Sequence, residues 1–210
     1  SKSKAVKDVV AVVEIPQGVA VVATSTWGAL KGREVLDIKW EDSKAEKRGS
    51  KELLEEYRAL TNKAGTPVVK NGDAASAIKG AAKTLEAEFV FPFLAHATLE
   101  PMNAVVQFKD NQATIWTASQ MQTVDQVVAA AILGIRPEDV SIHTLMAGGS
   151  FGRRALPNSE YVAEASQIVK ALGTSQPVKL LWTREDDIKA RIVRCMFTKS
   201  KWELQKMGQF

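Results

Sequence analysis

Two runs of apolar, β-branched residues, Val9 to Ile15 and Val19 to Ala23, are split by Pro16-Gln17-Gly18, which predicts two strands joined by a tight turn. Thr26 to Arg33 then reads as a short helix. Leu36, Ile38 and Trp40 alternate with Asp37 and Lys39, the period of a half-buried strand, ahead of a charged segment from Glu41 to Lys51. Leu53, Leu54, Tyr57 and Leu60 share one face of a helix that Gly65 can end. Gly72 to Lys83, rich in small residues, is either a short helix or a connector, and the domain boundary is placed near it.

A second unit opens with a strand from Leu85 to Phe91. Val105 to Phe108 and Ala113 to Thr117 read as a hairpin turning at Lys109-Asp110-Asn111. Thr123 and Gln126 have capping-box spacing for a helix to Leu133, closed by Gly134. Val140 to Met146 reads as a mostly buried strand. Asn158 or Ser159 can cap a helix to about Leu172, stopped by Gly173, and Val178 to Thr183 is a further strand. Strands and helices mix without a strict βαβ rhythm, so the fold class is α+β.

The chain has 210 residues and is 45% hydrophobic, enough for a sizeable core in one domain or two small ones. Its 28 Lys and Arg against 24 Asp and Glu leave a mild, dispersed excess of +4, which reads as a solvated surface and gives no nucleic-acid signal. A single cysteine, Cys195, excludes an internal disulfide framework and any multi-cysteine zinc or iron–sulfur site within this chain. No apolar run approaches a spanning length, and lysine-rich Ser1 to Asp8 has no apolar stretch behind it, so the expectation is a soluble protein. The chain starts without methionine, so an upstream export signal could have been removed; bacterial cytoplasm and periplasm both stay open.

The richest chemistry sits in Ala147-Gly-Gly-Ser-Phe-Gly-Arg-Arg154, between an expected strand and an expected helix. Glycines permit positive φ and close approach to backbone N–H groups, and the arginines offer forked donors for phosphate or carboxylate. No lysine and hydroxyl pair follows Gly152, so this is not a nucleotide-hydrolysing P-loop. The bland reading is a tight turn. His96 and Glu100, just after a strand, could be an acid/base pair, two metal ligands, or a hydrogen-bonded pair buttressing a loop. Gln120 could donate its amide to an oxo or carbonyl group, or be an ordinary exposed residue.

Four ordered segments, Pro92 to Asn103, Trp116 to Gln120, Gly148 to Arg154 and Trp182 to Asp187, together resemble the molybdenum hydroxylases of the xanthine dehydrogenase and aldehyde oxidase superfamily. The likeness is nearest to the beta subunit of isoquinoline 1-oxidoreductases and related aldehyde-oxidising enzymes. Ile15 to Ala23 with Trp27 to Arg33 is similar to the family's α/β hammerhead region. The resemblance implies a hammerhead-like domain over residues 1–80, part of a molybdopterin-binding domain over 81–189, and a tail from 190 to 210. It further implies a pterin-bound molybdenum, its cofactor in the cytosine dinucleotide form, with water as the source of oxygen for an aldehyde or N-heteroaromatic carbon.

By that resemblance Gln120 lies beside the apical oxo group, and Gly148, Gly149, Ser150, Phe151, Gly152 and Arg153 line the cofactor, Phe151 and Gly152 through backbone N–H groups. Ser150 replaces the usual third glycine, at a strain of roughly 1 kcal/mol if it must hold positive φ. The family's subunit is several times longer, and its catalytic glutamate and remaining pterin contacts come from the missing C-terminal part. The chain alone is therefore expected to hold no cofactor and to be inactive. An iron–sulfur small subunit is the implied partner, and unburied half-domain surface could drive self-association. The alternative is a non-catalytic anion-binding or protein-interaction module using Arg153 and Arg154.

The likeness ends at Lys189, and Cys195 to Trp202 shows no clean period. Shifting the reading frame from Arg191 permits an alternating, strand-like text ending in a turn dipeptide. The tail is accordingly expected to be out of frame, and the chain a truncated family member.

Overall fold

The computed structural model describes residues 2–190, 192–193 and 196–203. Among them the strands are β1 (Val9–Ile15), β2 (Gly18–Ala23), β3 (Thr84–Phe91), β4 (Leu94–Ala95), β5 (Asn103–Lys109), β6 (Gln112–Thr117), β7 (Val140–Thr144), β8 (Val178–Leu181), β9 (Ile192–Val193) and β10 (Met196–Glu203). The helices are α1 (Thr26–Glu34), α2 (Ser50–Leu60), α3 (Ala74–Gly80), α4 (Gln122–Leu133), α5 (Glu160–Leu172) and α6 (Arg184–Ala190). The mixture is α+β, as expected. Contacts group residues 1–40 with 95–192 in one compact unit, and 41–94 with 193–210 in another. These units cut the chain differently from the family domains expected at 1–80 and 81–189, because β3 finds its ladder partner in β10, more than 100 residues along the chain.

In the first unit a four-stranded sheet runs β7-β6-β5-β8. β5 and β6 form the expected antiparallel hairpin. Asp110 and Asn111 both take positive φ, 52° and 57°, which matches the right-handed twist of the flanking strands. β8 lies antiparallel to β5, while β7 is parallel to β6 and reached through α4. Every second residue of the hairpin points inward, so Ala104, Val106, Ala113 and Ile115 are almost wholly buried. They pack with Ala129, Ala130 and Leu133 of α4 and Tyr161, Val162, Ala165 and Val169 of α5. Burying a side chain such as Val106 or Ile115 contributes roughly 1.5–3 kcal/mol, so Ile115→Ala is the kind of change that opens this core. β1 and β2 pair antiparallel as a separate ladder in the same unit. Ser25 caps α1 by accepting from the Gly28 N–H at 3.0 Å.

Four local expectations are corrected. Residues 36–40 form no strand: Leu36 and Ile38 are half-buried, but no neighbouring strand supplies a ladder, and alternation alone does not make a sheet. The Thr123–Gln126 capping box does not form. Met121 is the N-cap, and Gln126 instead donates Nε2–H to the Val140 carbonyl at 2.9 Å, tying α4 to the next strand. β7 is an edge strand with one buried residue, Val140, rather than a mostly buried one. The fourth concerns α6, which was not expected. Thr183 Oγ1 accepts from the Asp186 N–H while the Asp186 carboxylate accepts from Thr183 N–H and Oγ1–H, and these reciprocal bonds start the helix.

The second unit holds α2, α3, β3 and β10. Neither helix buries a residue. β10 pairs antiparallel with β3 along its whole length, from Met196 opposite Phe91 to Glu203 opposite Thr84. The segment with no clean period is thus a strand. Its backbone completes a partner's ladder, and Lys199 lies 2.9 Å from Glu86 across it. Cys195 lies outside the described residues. No helix among the described residues is long and apolar enough to cross a membrane.

Candidate functional site

The glycine loop leaves β7 at the same end of the sheet at which β6 runs into Ala118-Ser119-Gln120, since Leu145 N–H donates to the Thr117 carbonyl at 2.9 Å. That short strap is held from below. Tyr161 Oη–H donates to the Ala118 carbonyl at 3.0 Å, and Ser119 Oγ–H donates to the buried Asp125 carboxylate at 2.5 Å while accepting from Met121 N–H. Burial pushes the Asp125 carboxyl above its usual range, only partly countered by its hydroxyl donors. Gln120 is therefore an exposed side chain on a fixed backbone.

Glu100 clasps the other side of the loop. Its Oε2 accepts from Gly148 N–H at 2.6 Å and from Arg154 Nη2 at 3.1 Å, its Oε1 accepts from Asn103 Nδ2 at 2.7 Å, and its own N–H donates to the Gly148 carbonyl at 3.1 Å. Burial works to raise its pKa, but the Asn103 and Gly148 donors and the Arg154 charge prevail and hold it below the ordinary value. Glu100 buttresses the loop through Gly148, Asn103 and Arg154. A side chain at 148 would not fit: a Cβ there would meet Glu100 Cβ at 2.5 Å. No group of three or more His, Cys, Asp or Glu arranged for a metal occurs among the described residues.

Within the loop, φ is positive at Gly149 (93°), Phe151 (54°) and Gly152 (88°), but not at Ser150. The strain foreseen at Ser150 is absent and sits instead at Phe151, where a bulky left-handed residue costs about 1–2 kcal/mol. Phe151 is also 81% exposed, so core packing does not repay it. The N–H groups of Gly149, Ser150, Phe151 and Gly152 reach no protein acceptor among the described residues. Successive N–H groups without a protein acceptor, on a backbone that changes hand from Gly149 to Ser150 and again to Phe151, make a donor set suited to an anionic oxygen. Ser150 Oγ–H donates to Gln120 Oε1 at 2.5 Å, which brings the two halves of the expected site into contact.

Arg153 and Arg154 are not outward donors. The Arg153 side chain is fully buried, with Nε 3.1 Å from Asp187 and Nη1 3.1 Å from Glu160, and its guanidinium lies 5.1 Å from the Trp182 ring centre. Its Nη2 has no partner among the described residues. Arg154, equally buried, donates to Glu100 and to the carbonyls of Gly149 and Ala118. Apart from Arg153 Nη2, the guanidinium donors meet protein acceptors, so neither arginine is the exposed phosphate donor that the sequence suggested. Sequence reasoning missed Glu100, Asp187 and Glu160 as their partners, because spacings of 54, 34 and 7 residues carry no local signal. A cavity of about 1010 Å³ lined by β2, α1 and β8 contains none of the glycine-loop residues. The ledge formed by Gln120 and residues 148–152 is open.

The molybdopterin cofactor-binding domain family matches residues 58–208, running past Lys189, where the likeness had been expected to stop. Over 196 residues the chain is 32% identical to isoquinoline 1-oxidoreductase subunit beta of Brevundimonas diminuta, covering 85% of this chain and 24% of that protein. It is 32% identical over 178 residues to the membrane-bound aldehyde dehydrogenase [pyrroloquinoline-quinone] of Gluconacetobacter polyoxogenes, covering 83% and 23%. The aldehyde oxidoreductase of Desulfovibrio gigas shares the fold at a TM-score of 0.62 and 22% identity, over 87% of this chain and 20% of that one. The chain therefore spans about a quarter of the length of the curated relatives it matches. By the extent of the family match and the fold that goes with it, the chain belongs to the molybdopterin cofactor-binding domain family of the molybdenum hydroxylases.

Proposed function

We propose that this chain supplies one wall of a molybdopterin site in an oxidoreductase acting on an aldehyde or an N-heteroaromatic carbon. The observation that carries the reading is the meeting of Gln120 with a loop whose four consecutive N–H groups have no acceptor among the described residues. Such a donor set fits an oxo or phosphate-bearing group, because fixed donors stabilise negative charge without reorganising. Gly149, Phe151 and Gly152 would hold the group through backbone N–H, Gln120 through its amide, and Gly148 and Ser150 would shape the loop. Arg153 would act from beneath by anchoring the loop's end to Asp187 and Glu160. When bound, the cofactor, in its cytosine dinucleotide form, supplies a two-electron oxidation in which water provides the oxygen.

The chain by itself is proposed to be inactive and to retain no cofactor. With Phe151, Gly149 and Gly152 exposed, solvent competes for every donor, and one wall neither excludes water nor positions a base. The catalytic glutamate is proposed to lie in the remainder of the large subunit, and an iron–sulfur small subunit to take the electrons. Residues 1–80 are proposed as a hammerhead-like segment and 81–189 as the start of the cofactor domain. The test is molybdenum content after incubation with released molybdopterin cofactor and desalting. The expected result is substoichiometric metal for the chain alone and stoichiometric metal when the rest of the large subunit is co-expressed. Stoichiometric metal on the chain alone overturns the first point, and none on the completed subunit overturns the reading.

A further inference from the structure

Hydrogen-bond direction at Ser150 fixes more than the loop. Ser150 Oγ accepts from the Arg154 N–H at 3.2 Å, which occupies a lone pair and leaves the hydroxyl proton for a second partner. That partner is Gln120 Oε1. A carboxamide whose oxygen is held by a donor must turn its Nε2 amino group the other way. The Nε2 group has no protein acceptor among the described residues, and Gln120 is exposed, so its N–H bonds are left for solvent or a ligand. We propose that Ser150 is a positioning residue: through its hydroxyl it sets the flip of the Gln120 carboxamide, so that this side chain meets a ligand as a donor and not as an acceptor.

This rests on the reading that the ledge faces the molybdopterin group, where an oxo ligand needs a donor. Three features on the page make the arrangement specific. Serine is admissible at 150 because φ there is not positive, unlike at Gly149, Phe151 and Gly152. The Gln120 backbone is anchored independently, by Tyr161 on Ala118 and by Ser119 on Met121 N–H and Asp125, so loss of the Ser150 hydroxyl frees the amide without releasing the strap. An exposed glutamine would otherwise sample both flips, since its oxygen and its amino group have nearly the same shape.

The test uses the full chain labelled with nitrogen-15, comparing native protein with Ser150→Ala, Ser150→Thr and Ser150→Gly. The last is compatible with the loop whatever becomes of alanine, since glycine tolerates any backbone angle there. Expected for native and Ser150→Thr is an ordered Gln120 amino group, with two well-separated proton shifts and an order parameter near ~0.85, falling below ~0.6 with averaged shifts in the other two variants. An equally ordered Gln120 amino group in Ser150→Ala or Ser150→Gly overturns the proposal. Molybdenum retention by the completed large subunit is read separately. If Gln120 loosens as expected while retention is the same in all the Ser150 variants and in a Gln120→Ala subunit, the positioning stands and the cofactor reading fails; if Gln120 stays ordered, the positioning fails whatever the metal does.

Discussion

Gly148→Ala should be the most damaging single-carbon change in the glycine loop. The added Cβ would lie 2.5 Å from Glu100 Cβ, 3.2 Å from its Oε2 and 3.4 Å from its backbone nitrogen. The nearest atom is the root of a side chain rather than a flexible end, so the strap carrying Glu100 must move. That movement breaks the 2.6 Å bond from Gly148 N–H to the carboxylate, a charged hydrogen bond contributing about 1.5–3 kcal/mol, and the return bond from Glu100 N–H, about 1 kcal/mol. Arg154 keeps two carbonyl acceptors, and the carboxylate is one-third exposed, so the full cost of stranding a buried charge does not apply. The expected loss is about 2–4 kcal/mol. Gly152→Ala is the internal control: nothing lies within 4 Å of its Cβ, and only the φ of 88° opposes it, at about 1–2 kcal/mol. Urea unfolding followed by tryptophan fluorescence reads both. A Gly148→Ala midpoint equal to or above that of Gly152→Ala would refute the clasp.

Four further outcomes follow from the same geometry. Phe151→Gly should be neutral or stabilising by up to about 1 kcal/mol, since it relieves a left-handed residue with little packing to lose; clear destabilisation in urea would show that the exposed ring supports the fold. Arg153→Ala should cost about 3 kcal/mol by removing its charged hydrogen bonds to Asp187 and Glu160, at about 1.5–3 kcal/mol each, while Arg184 stays 3.2 Å from Asp187; inorganic phosphate should bind the native chain no better than the variant, and a saturable, Arg153-dependent phosphate isotherm would contradict its buried placement. Glu100 has a lowered folded pKa, so its contribution is complete above the ordinary glutamate value and is lost as pH falls through the lower one; the Gly148 amide resonance should titrate below 4.5, and a midpoint at or above it would mean that burial wins over the donors. For the tail, codons from Arg191 should permit the shifted strand-like text if the frame has slipped; codons that cannot yield it remove that idea.

What the sequence made legible was local. The β5–β6 hairpin followed from Asp110-Asn111 between alternating apolar runs, and the ends of α4 and α5 from Gly134 and Gly173, both left-handed C-caps. These features need only neighbours within a few residues. Expectations failed where a distant partner decides the outcome. Residues 36–40 alternate as a strand does but have no ladder, while 196–203 does not alternate convincingly and is a strand because β3 offers it an edge. At the site, the resemblance named Gln120 and the loop, but the direction of Arg153 and Arg154 was beyond it. Two adjacent arginines after glycines look like anion donors until Asp187, Glu160 and Glu100 are brought beside them by folding. The overlooked α6 was a different failure, since Thr183 and Asp186 carry the capping spacing in plain view.

The central claim is that the amides of residues 149–152, which have no acceptor among the described residues, and the amino group of Gln120 form one donor surface for an oxygen-rich anionic group. The most direct measurement is a nitrogen-15 chemical-shift map of the chain titrated with released molybdopterin cofactor. Shifts concentrated at the Gly149, Phe151 and Gly152 amides and at the Gln120 side chain are the predicted result. Shifts confined to the groove beside β1 and β8, or scattered over surface lysines with the loop unmoved, would contradict it.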